Sequence, residues 1–218
     1  MATLRIGIYG GTFNPIHNAH LLVAQTAYES LHLDKVVFIP AGIPPLKGVH
    51  QLVSGEQRLA MVQLAIADNP NFELNDFEVR RGNQKSFTID TVRFLVAQYP
   101  ANTEFFLILG DDCVDKLHHW KGIDELRQLV QFVCVNRNKI PATKDELQTS
   151  TVLNSSQTPP LTAVAMPTLA ISSTYVRERL NAGKTVHYLV PTPVAQYLDQ
   201  HALYRMDAHA LAEIAGHE

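Results

Sequence analysis

The chain has few of the features that mark secreted or membrane-spanning proteins. It contains only two cysteines, Cys113 and Cys134, in 218 residues. A disulfide framework or a cysteine zinc site is therefore not expected, and a reducing cytoplasm is favoured. The longest apolar runs are far shorter than the about 20 residues that span a bilayer, and the N-terminus lacks the apolar core of a signal peptide. These absences predict a cytoplasmic protein with no membrane partner.

Positive charge is also scarce. The chain has 18 Lys and Arg against 21 Asp and Glu, a net charge of -3, whereas a general nucleic-acid binder normally has a basic excess. Apolar residues make up 46% and charged residues 18%, which excludes an intrinsically disordered chain. A domain of this length buries about 70% of its unfolded surface and needs no disulfide or metal cross-links to hold its core. The negative net charge therefore predicts that the protein has no nucleic-acid partner and that any phosphate is bound by a local site.

Segments typical of strands and of helices alternate along the chain. The predicted strands are Leu4–Tyr9, Lys35–Ile39, Phe72–Leu74, Phe77–Arg80, Glu104–Leu109, Phe132–Val135 and Leu161–Ala165. The predicted helices are Leu21–Leu31, Leu59–Ile66 after a capping-box pattern at Ser54 and Gln57, Thr88–Tyr99, Ile123–Val130, Ser173–Asn181 and Thr192–His201. Alternation without hairpin signals predicts an α/β fold, a doubly wound, Rossmann-like parallel sheet with helices on both faces.

No internal repeat or low-complexity tract divides the chain. We predict a single domain over residues 1–206 and a C-terminal tail over 207–218. The polar stretch Asn136–Pro160 is too long for a passive connection. It is either a mobile lid or an insertion, and the insertion is favoured.

The segment after the first predicted strand carries the strongest functional signal. It reads Gly10-Gly11-Thr12-Phe13-Asn14-Pro15-Ile16-His17-Asn18-Ala19-His20. Ligands of parallel sheets bind beyond the carboxyl ends of the strands, and glycines there let backbone N–H groups approach phosphate oxygens. His17 and His20 share a face of the first helical turn and can donate hydrogen bonds to a phosphate chain. Either histidine alone fits an ordinary surface turn, but the whole string favours a phosphate site.

A second motif lies at a predicted strand-to-helix junction, Ile171-Ser172-Ser173-Thr174-Tyr175-Val176-Arg177. Its hydroxyls can cap the helix or donate to phosphate, and Arg177 lies one turn into the helix, within reach of a phosphate. Alone it fits an ordinary cap with a solvated arginine. The patterns G-x-G-x-x-G and G-x-x-x-x-G-K-[ST] are both absent, which weighs against a dinucleotide oxidoreductase and a P-loop enzyme.

Together these two motifs resemble the H-x-G-H nucleotidylyltransferase superfamily and, within it, the bacterial nicotinate-nucleotide adenylyltransferases, over nearly the whole chain. Further matching segments are Ile39–Lys47, Glu56–Ile66, Ser86–Thr91 and Leu109–Trp120. The resemblance implies an enzyme of NAD biosynthesis that binds ATP and nicotinate mononucleotide. It would transfer an adenylyl group between them, releasing deamido-NAD and pyrophosphate, with Mg²⁺ accompanying ATP.

The resemblance also implies individual roles. Three residues would be catalytic, namely His17, His20 and Arg177. ATP would be bound by Gly10, Gly11, Thr12, Phe13, Lys47, Gly110, Asp112, Ser173 and Thr174. The acceptor would be bound by Thr88, Trp120, Lys121 and Arg137. No side chain is assigned to a metal, and a homo-oligomer is left open.

Four positions depart from the family pattern. Asn14 stands where Asp is common, Ala19 where Gly is common, and Leu46 where a basic residue is common. The usual R-P-G-Y is replaced by Arg137-Asn138-Lys139-Ile140. Asn14 can keep an Asx-type turn without the charge, whereas the methyl group of Ala19 is expected to crowd the nucleotide.

Two other functions stay open. One is adenylyl or cytidylyl transfer to pantetheine phosphate or glycerol phosphate by another enzyme of this fold, although both of those families are shorter and lack part of the motif set. The other is a catalytically silent nucleotide-binding regulator. The intact His17, His20 and Arg177 oppose the regulator.

Overall fold

A central sheet organises the molecule, which we describe from a computed structural model covering residues 3–43, 52–82, 84–136, 151–153 and 160–205. Its strands are β1 (Arg5–Gly11), β2 (Lys35–Pro40), β3 (Phe72–Leu74), β4 (Glu104–Gly110), β5 (Gln131–Asn136), β6 (Thr151–Leu153) and β7 (Leu161–Ala165). They lie in the order β3-β2-β1-β4-β5-β7-β6. All neighbouring pairs are parallel except β6 with β7, which is antiparallel.

Helices cover both faces of this sheet. They are α1 (Asn18–Ser30), α2 (Gly55–Ile66), α3 (Phe77–Arg80), α4 (Thr88–Val96), α5 (Asp111–Val114), α6 (Ile123–Leu129), α7 (Ser173–Asn181) and α8 (Thr192–Gln200), with a 3₁₀ turn at Leu117–His119. None of the helices in the described ranges is long and apolar enough to cross a membrane.

The strands are buried on both faces, which explains their continuous apolar runs. In β2, Val36 and Phe38 pack in one core with α1, α2, α7 and α8. Val37 and Ile39 pack in a second core with α4 and α6. Successive side chains of a strand point to opposite faces of the sheet, so one run of apolar residues supplies both cores. The predicted doubly wound parallel sheet is confirmed.

The strand order reverses between β1 and β4. From β1 the sheet continues to β2 and β3 on one side, and from β4 it continues to β5 and β7 on the other. Connections that leave the carboxyl ends of β1 and β4 therefore diverge and leave a crevice between them, the usual ligand position of an open α/β sheet.

The helix starts follow the sequence closely where a cap is present. Ser54 Oγ accepts a hydrogen bond from Gln57 N–H at 3.1 Å, and Gln57 Oε1 accepts one from Ser54 N–H at 3.1 Å. This reciprocal pair satisfies two N–H groups that the first turn would otherwise leave unbonded. The capping box predicted for α2 is confirmed.

The predicted strand Phe77–Arg80 is wrong, because this segment is helix α3. Asn75 Oδ1 accepts a hydrogen bond from Phe77 N–H at 3.0 Å, and the Asp76 carbonyl accepts one from Arg80 N–H at 2.9 Å. A side chain bonded to the backbone two residues on starts a turn. That local bond outweighs the alternation of apolar and polar residues.

Strand β6 is absent from the sequence prediction, since it lies in the polar stretch interpreted as an insertion. It pairs with β7, with Thr151 opposite Ala163 and Leu153 opposite Leu161. Its short β-branched run is typical of a strand only once a partner strand is available. Residues 137–150 and 154–159 of the stretch, and the predicted tail 207–218, lie outside the described residues.

Packing of α8 against α2 yields a first prediction. Leu198 of α8 is fully buried in the core that also contains Met61 and Val62 of α2. Leu198→Ala removes buried methyl groups and leaves a cavity, so we expect the free energy of unfolding to fall by about 2–5 kcal/mol. Urea denaturation measures it. The exposed neighbour Gln196→Ala is the control, and an equal loss in both variants would contradict the packing assigned to Leu198.

Candidate active site

A cavity of about 300 Å³ lies in the crevice at the switch point. Its wall is built by the ends of β1, β2 and β4, the start of α4, and the segment around the 3₁₀ turn. The residues predicted from sequence that line it are Gly10, Gly11, Thr12, Thr88, Gly110, Trp120 and Lys121. Parts of the chain more than 100 residues apart in sequence therefore meet in one cavity.

The two predicted histidines lie together at the start of α1. His17 is the N-cap residue and is almost fully buried, and the rings of His17 and His20 stack with centroids 3.6 Å apart. His20 Nδ1 accepts a hydrogen bond from His17 N–H at 3.2 Å. A neutral imidazole that accepts at Nδ1 carries its proton on Nε2. His20 is thus held in the tautomer that offers an Nε2–H donor.

Phe13 fits between this pair and the glycines of β1. Its ring meets the His20 ring edge-on at 5.1 Å, and its backbone is left-handed with φ of 48°. A Cβ atom placed at Gly11 would lie 2.9 Å from the Phe13 ring. A larger residue at Gly11 would therefore displace Phe13, so this glycine is required by close approach.

The second motif docks on the first. Arg177 Nη1 donates to the Asn14 carbonyl at 2.8 Å, and Ser173 Oγ donates to the Pro15 carbonyl at 2.9 Å. Arg177 Nη2 also contacts Thr174 Oγ1 at 3.3 Å. The start of α7, which carries Ser173, Thr174 and Arg177, is thus bonded to the backbone of the residues that shortly precede His17 in the chain. We call these three residues with His17 and His20 the histidine cluster.

Arg177 keeps donor capacity beyond these contacts. It is half-buried, and its Nε–H is buried without a hydrogen-bond partner among the residues that the structure describes. A guanidinium has five N–H donors. Bonds to Asn14 and Thr174 therefore leave donors for an anion placed against the cluster.

Arg58 was not identified from sequence, although it is almost fully buried at 1% exposure. It donates to three backbone carbonyls, namely Thr12 at 2.9 Å, Gly42 at 3.0 Å and Val53 at 3.3 Å. Burial lowers the pKa of its guanidinium, opposed by Tyr204 and Glu78. A charged residue on the apolar face of α2, one turn before Val62, was the signal that could have found it.

The Asn14 side chain joins the loop to the last part of the described chain. Asn14 Oδ1 accepts hydrogen bonds from the Tyr204 hydroxyl and from Val53 N–H, the latter at 3.3 Å. Burial raises the pKa of the Tyr204 hydroxyl, which keeps it protonated as a donor. Two donors therefore converge on one side-chain oxygen, which fixes the Asn14 side chain between Val53 and Tyr204.

Glu78 is a second residue that sequence reasoning missed. It lines the cavity from α3, is 8% exposed, and its Oε1 accepts a hydrogen bond from the Thr91 hydroxyl at 2.6 Å. Burial raises the pKa of its carboxyl group, while hydrogen bonds from Thr91, Ser86 and Gly42 N–H oppose that shift. The sequence predicts a strand over this segment, which gives no reason to single out Glu78. Only the helix found in the structure directs attention to this carboxylate.

A basic side chain, Lys121, lines the same cavity as Glu78. Lys121 Nζ lies 4.5 Å from the centroid of the Phe87 ring, and both residues line the cavity with half-buried Trp120. An ammonium group over an aromatic face is attracted by the ring quadrupole. The cavity thus combines aromatic surface with one acidic and one basic side chain.

The remaining predicted residues are placed as follows. Lys47 and Arg137 lie outside the described residues, as does Leu46, and Asp112 belongs to short helix α5 directly after Gly110. Ala19 contradicts the expectation of crowding, because it is fully buried in the core of α1 and its methyl group packs among apolar side chains. His17 and His20 are three residues apart and share one face of the helix start, whereas Ala19 lies on the face that packs in the core.

Metal ligation has no support from clustered side chains. Among the residues that the structure describes, no three His, Cys, Asp or Glu lie close enough together to hold a metal ion. Mg²⁺ usually keeps waters and binds through phosphates with few protein ligands.

Comparison with known proteins is consistent with this geometry. Residues 8–179 match the cytidylyltransferase-like family model. A probable nicotinate-nucleotide adenylyltransferase of Lactiplantibacillus plantarum is 42% identical over 93% of this chain and 89% of that protein. A protein of the same name from Geobacillus kaustophilus is 41% identical over 92% of this chain and 86% of its own length.

Solved structures share the fold at low identity. One is a Plasmodium falciparum nicotinic acid mononucleotide adenylyltransferase complexed with NaAD, with a TM-score of 0.71 and 19% identity over 92% of this chain and 97% of that chain. Another is a putative nicotinate-nucleotide adenylyltransferase from Vibrio parahaemolyticus, with a TM-score of 0.65 and 19% identity over 94% and 98% of the two chains. These likenesses show the fold alone.

The contacts of Arg58 yield a second prediction. Arg58→Lys replaces a planar fork by a single ammonium group that cannot reach three carbonyls at once. Buried carbonyls are left without donors, so we expect the free energy of unfolding to fall by about 3 kcal/mol. Chemical denaturation measures it, with the exposed Arg127→Lys as control. Equal stability of the two variants would show that the three carbonyls do not depend on Arg58.

Proposed function

Because this chain belongs to the cytidylyltransferase-like family and relatives at 42% and 41% identity are named probable nicotinate-nucleotide adenylyltransferases, we propose that it transfers the adenylyl group of ATP to nicotinate mononucleotide. The products are deamido-NAD and pyrophosphate, and the reaction is a step of NAD biosynthesis in the cytoplasm. The single observation that carries the proposal is the docking of Arg177 and Ser173 onto the backbone directly before His17.

The two regions of the site have separate tasks. The histidine cluster, with Gly10, Gly11, Thr12 and Phe13, binds the triphosphate. The switch-point cavity binds the acceptor, with Thr88, Trp120 and Lys121 around its ring. Gly110 lines the same cavity next to the triphosphate side and, with Asp112, holds the adenosine ribose. Lys47 and Arg137 are proposed as further contacts on the resemblance alone.

The reaction needs no covalent enzyme intermediate. An oxygen of the acceptor phosphate attacks the α-phosphorus of ATP in line, a new P–O bond forms, and the bond to the bridging α–β oxygen breaks as pyrophosphate leaves. The protein aligns the two phosphates and stabilises the charge of the transition state. His20 donates from Nε2–H, and Arg177 donates from a guanidinium already oriented by Asn14.

Mg²⁺ would arrive with ATP and offset part of the triphosphate charge. The chain's own contribution is to present N–H donors. Low cysteine content supports the cytoplasmic setting.

An assay of ATP with nicotinate mononucleotide, pantetheine phosphate and glycerol phosphate, with products separated by HPLC, tests the proposal. Formation of deamido-NAD supports it, and transfer only to another acceptor, or no transfer at all, would contradict it.

The histidine cluster yields a third prediction. His20→Ala removes the Nε2–H donor, so we expect kcat to fall by about 100- to 1,000-fold, the cost of losing one preorganised donor. Steady-state kinetics measures kcat, and thermal unfolding shows whether the variant is folded. His201→Ala is the control, because His201 is exposed at the end of α8 and is not part of the cluster. A folded His20→Ala enzyme within about threefold of wild type would refute this role.

Acceptor choice yields a fourth prediction. The acid form of the mononucleotide should be preferred over the nicotinamide form by about tenfold or more in kcat/KM. Its carboxylate takes charge-assisted hydrogen bonds from backbone N–H groups near Thr88 and Trp120 and attraction from Lys121. An amide would set donor against donor. Measurement of kcat/KM for both acceptors at one salt concentration decides, and equal values would indicate a dual-specificity enzyme.

A further inference from the structure

The wall of the acceptor cavity contains a carboxylate that the proposed reaction does not use. Glu78 lines the cavity from α3 together with Ser86 and Thr91 of the neighbouring segment. Neither the attacking phosphate nor the triphosphate benefits from a negative charge there. A buried carboxylate also costs free energy unless something compensates for it.

The bonds that hold Glu78 come from neutral donors. The Thr91 hydroxyl donates at 2.6 Å, and the Ser86 hydroxyl and Gly42 N–H also bond the carboxyl group. Within the described ranges, no ion pair to Glu78 is formed. The nearby Arg81 guanidinium instead contacts Asp90 at 3.2 Å. The carboxylate of Glu78 is therefore oriented by hydrogen bonds, while the guanidinium groups of Arg81 and Arg58 attract it without forming an ion pair among the described residues.

Gly42 shows how tightly this carboxylate is placed. A Cβ atom at Gly42 would lie 2.3 Å from the Glu78 carbonyl oxygen, and Gly42 N–H donates to Ser86 Oγ at 2.9 Å. The loop after β2 thus contacts α3 backbone to backbone. Arg58 fixes the same loop through the Gly42 carbonyl at 3.0 Å. Glu78 consequently has a fixed position on the cavity wall.

The proposed acceptor would bring a cation into the cavity that Glu78 lines. The ring of nicotinate mononucleotide is a pyridinium with a positive charge, and it also bears a carboxylate, so the ring is a zwitterion. The cavity lining contains both signs of charge, with acidic Glu78 and basic Lys121, and also the aromatic rings of Phe87 and Trp120. Aromatic faces likewise favour a cationic ring.

On this arrangement, and resting on the proposed function, the geometry points to Glu78 as a specificity-determining residue. It selects the cationic, oxidised pyridinium ring of the acceptor over a neutral ring of the same shape. Its carboxylate gives the ring a counter-charge in a partly desolvated cavity, where a charge pair is worth more than in water. Thr91, Ser86 and Gly42 orient that carboxylate.

The test compares two acceptors on the same enzyme preparation. Nicotinate mononucleotide and its 1,4-dihydro form share the carboxylate, ribose and phosphate, but the dihydro ring is neutral. We expect wild-type enzyme to favour the pyridinium form in kcat/KM, and Glu78→Gln to lower that preference by about tenfold, through KM rather than kcat. The ratio is independent of the fraction of folded enzyme, so a loss of stability does not obscure it.

The control is Glu56→Gln, an exposed carboxylate in the first turn of α2, which should leave the ratio unchanged. Thermal unfolding shows whether Glu78→Gln is folded. Glu78→Gln with an unchanged ratio, or with both acceptors weakened equally, would overturn the inference while the proposed function stands. Failure of wild-type enzyme to adenylylate either mononucleotide would overturn the proposed function, and the inference with it.

Discussion

The burial of one guanidinium constrains the architecture of the site. Arg58 is 1% exposed, and a buried charge must be met by dipoles or an opposite charge. Here the carbonyls of Thr12, Gly42 and Val53 meet it. Those carbonyls belong to the loop after β1, the loop after β2 and the residues before α2, so satisfying Arg58 brings three separate segments to one point. The loop that leads to the histidines and the loop after β2, which lines the cavity, are thereby positioned relative to each other.

A second set of contacts completes this arrangement from the far end of the chain. Arg177 and Ser173 bind the carbonyls of Asn14 and Pro15, and Tyr204 donates to the Asn14 side chain. The residues joined are between 158 and 190 positions apart. These donors bond the carbonyl and amide oxygens of the loop that precedes the histidines, so this loop is held to α7 and to Tyr204.

Charge is distributed unequally over the two regions. The histidine cluster presents N–H donors and the cation of Arg177. The cavity carries Glu78 and Lys121 among aromatic residues. This division follows the switch point of the sheet, because the loops leaving β1 and β4 diverge there. The fold is shared at 19% identity with solved structures, whereas these side chains give the site its chemistry.

Sequence alone determined the elements whose signals are local. The buried strands, the Ser54–Gln57 capping box and the pairing of His17 with His20 all follow from residues within a few positions of one another, so periodicity and capping chemistry predict them. Phe77–Arg80 and β6 were missed because an Asn75 side-chain bond and a partner strand decided their conformation. Arg58 and Glu78 were missed because their roles depend on oxygens and hydroxyls that folding brings from distant segments. Which side chain is buried, and what then compensates its charge, is a property of the packed structure, since desolvation exists only after the chain has folded.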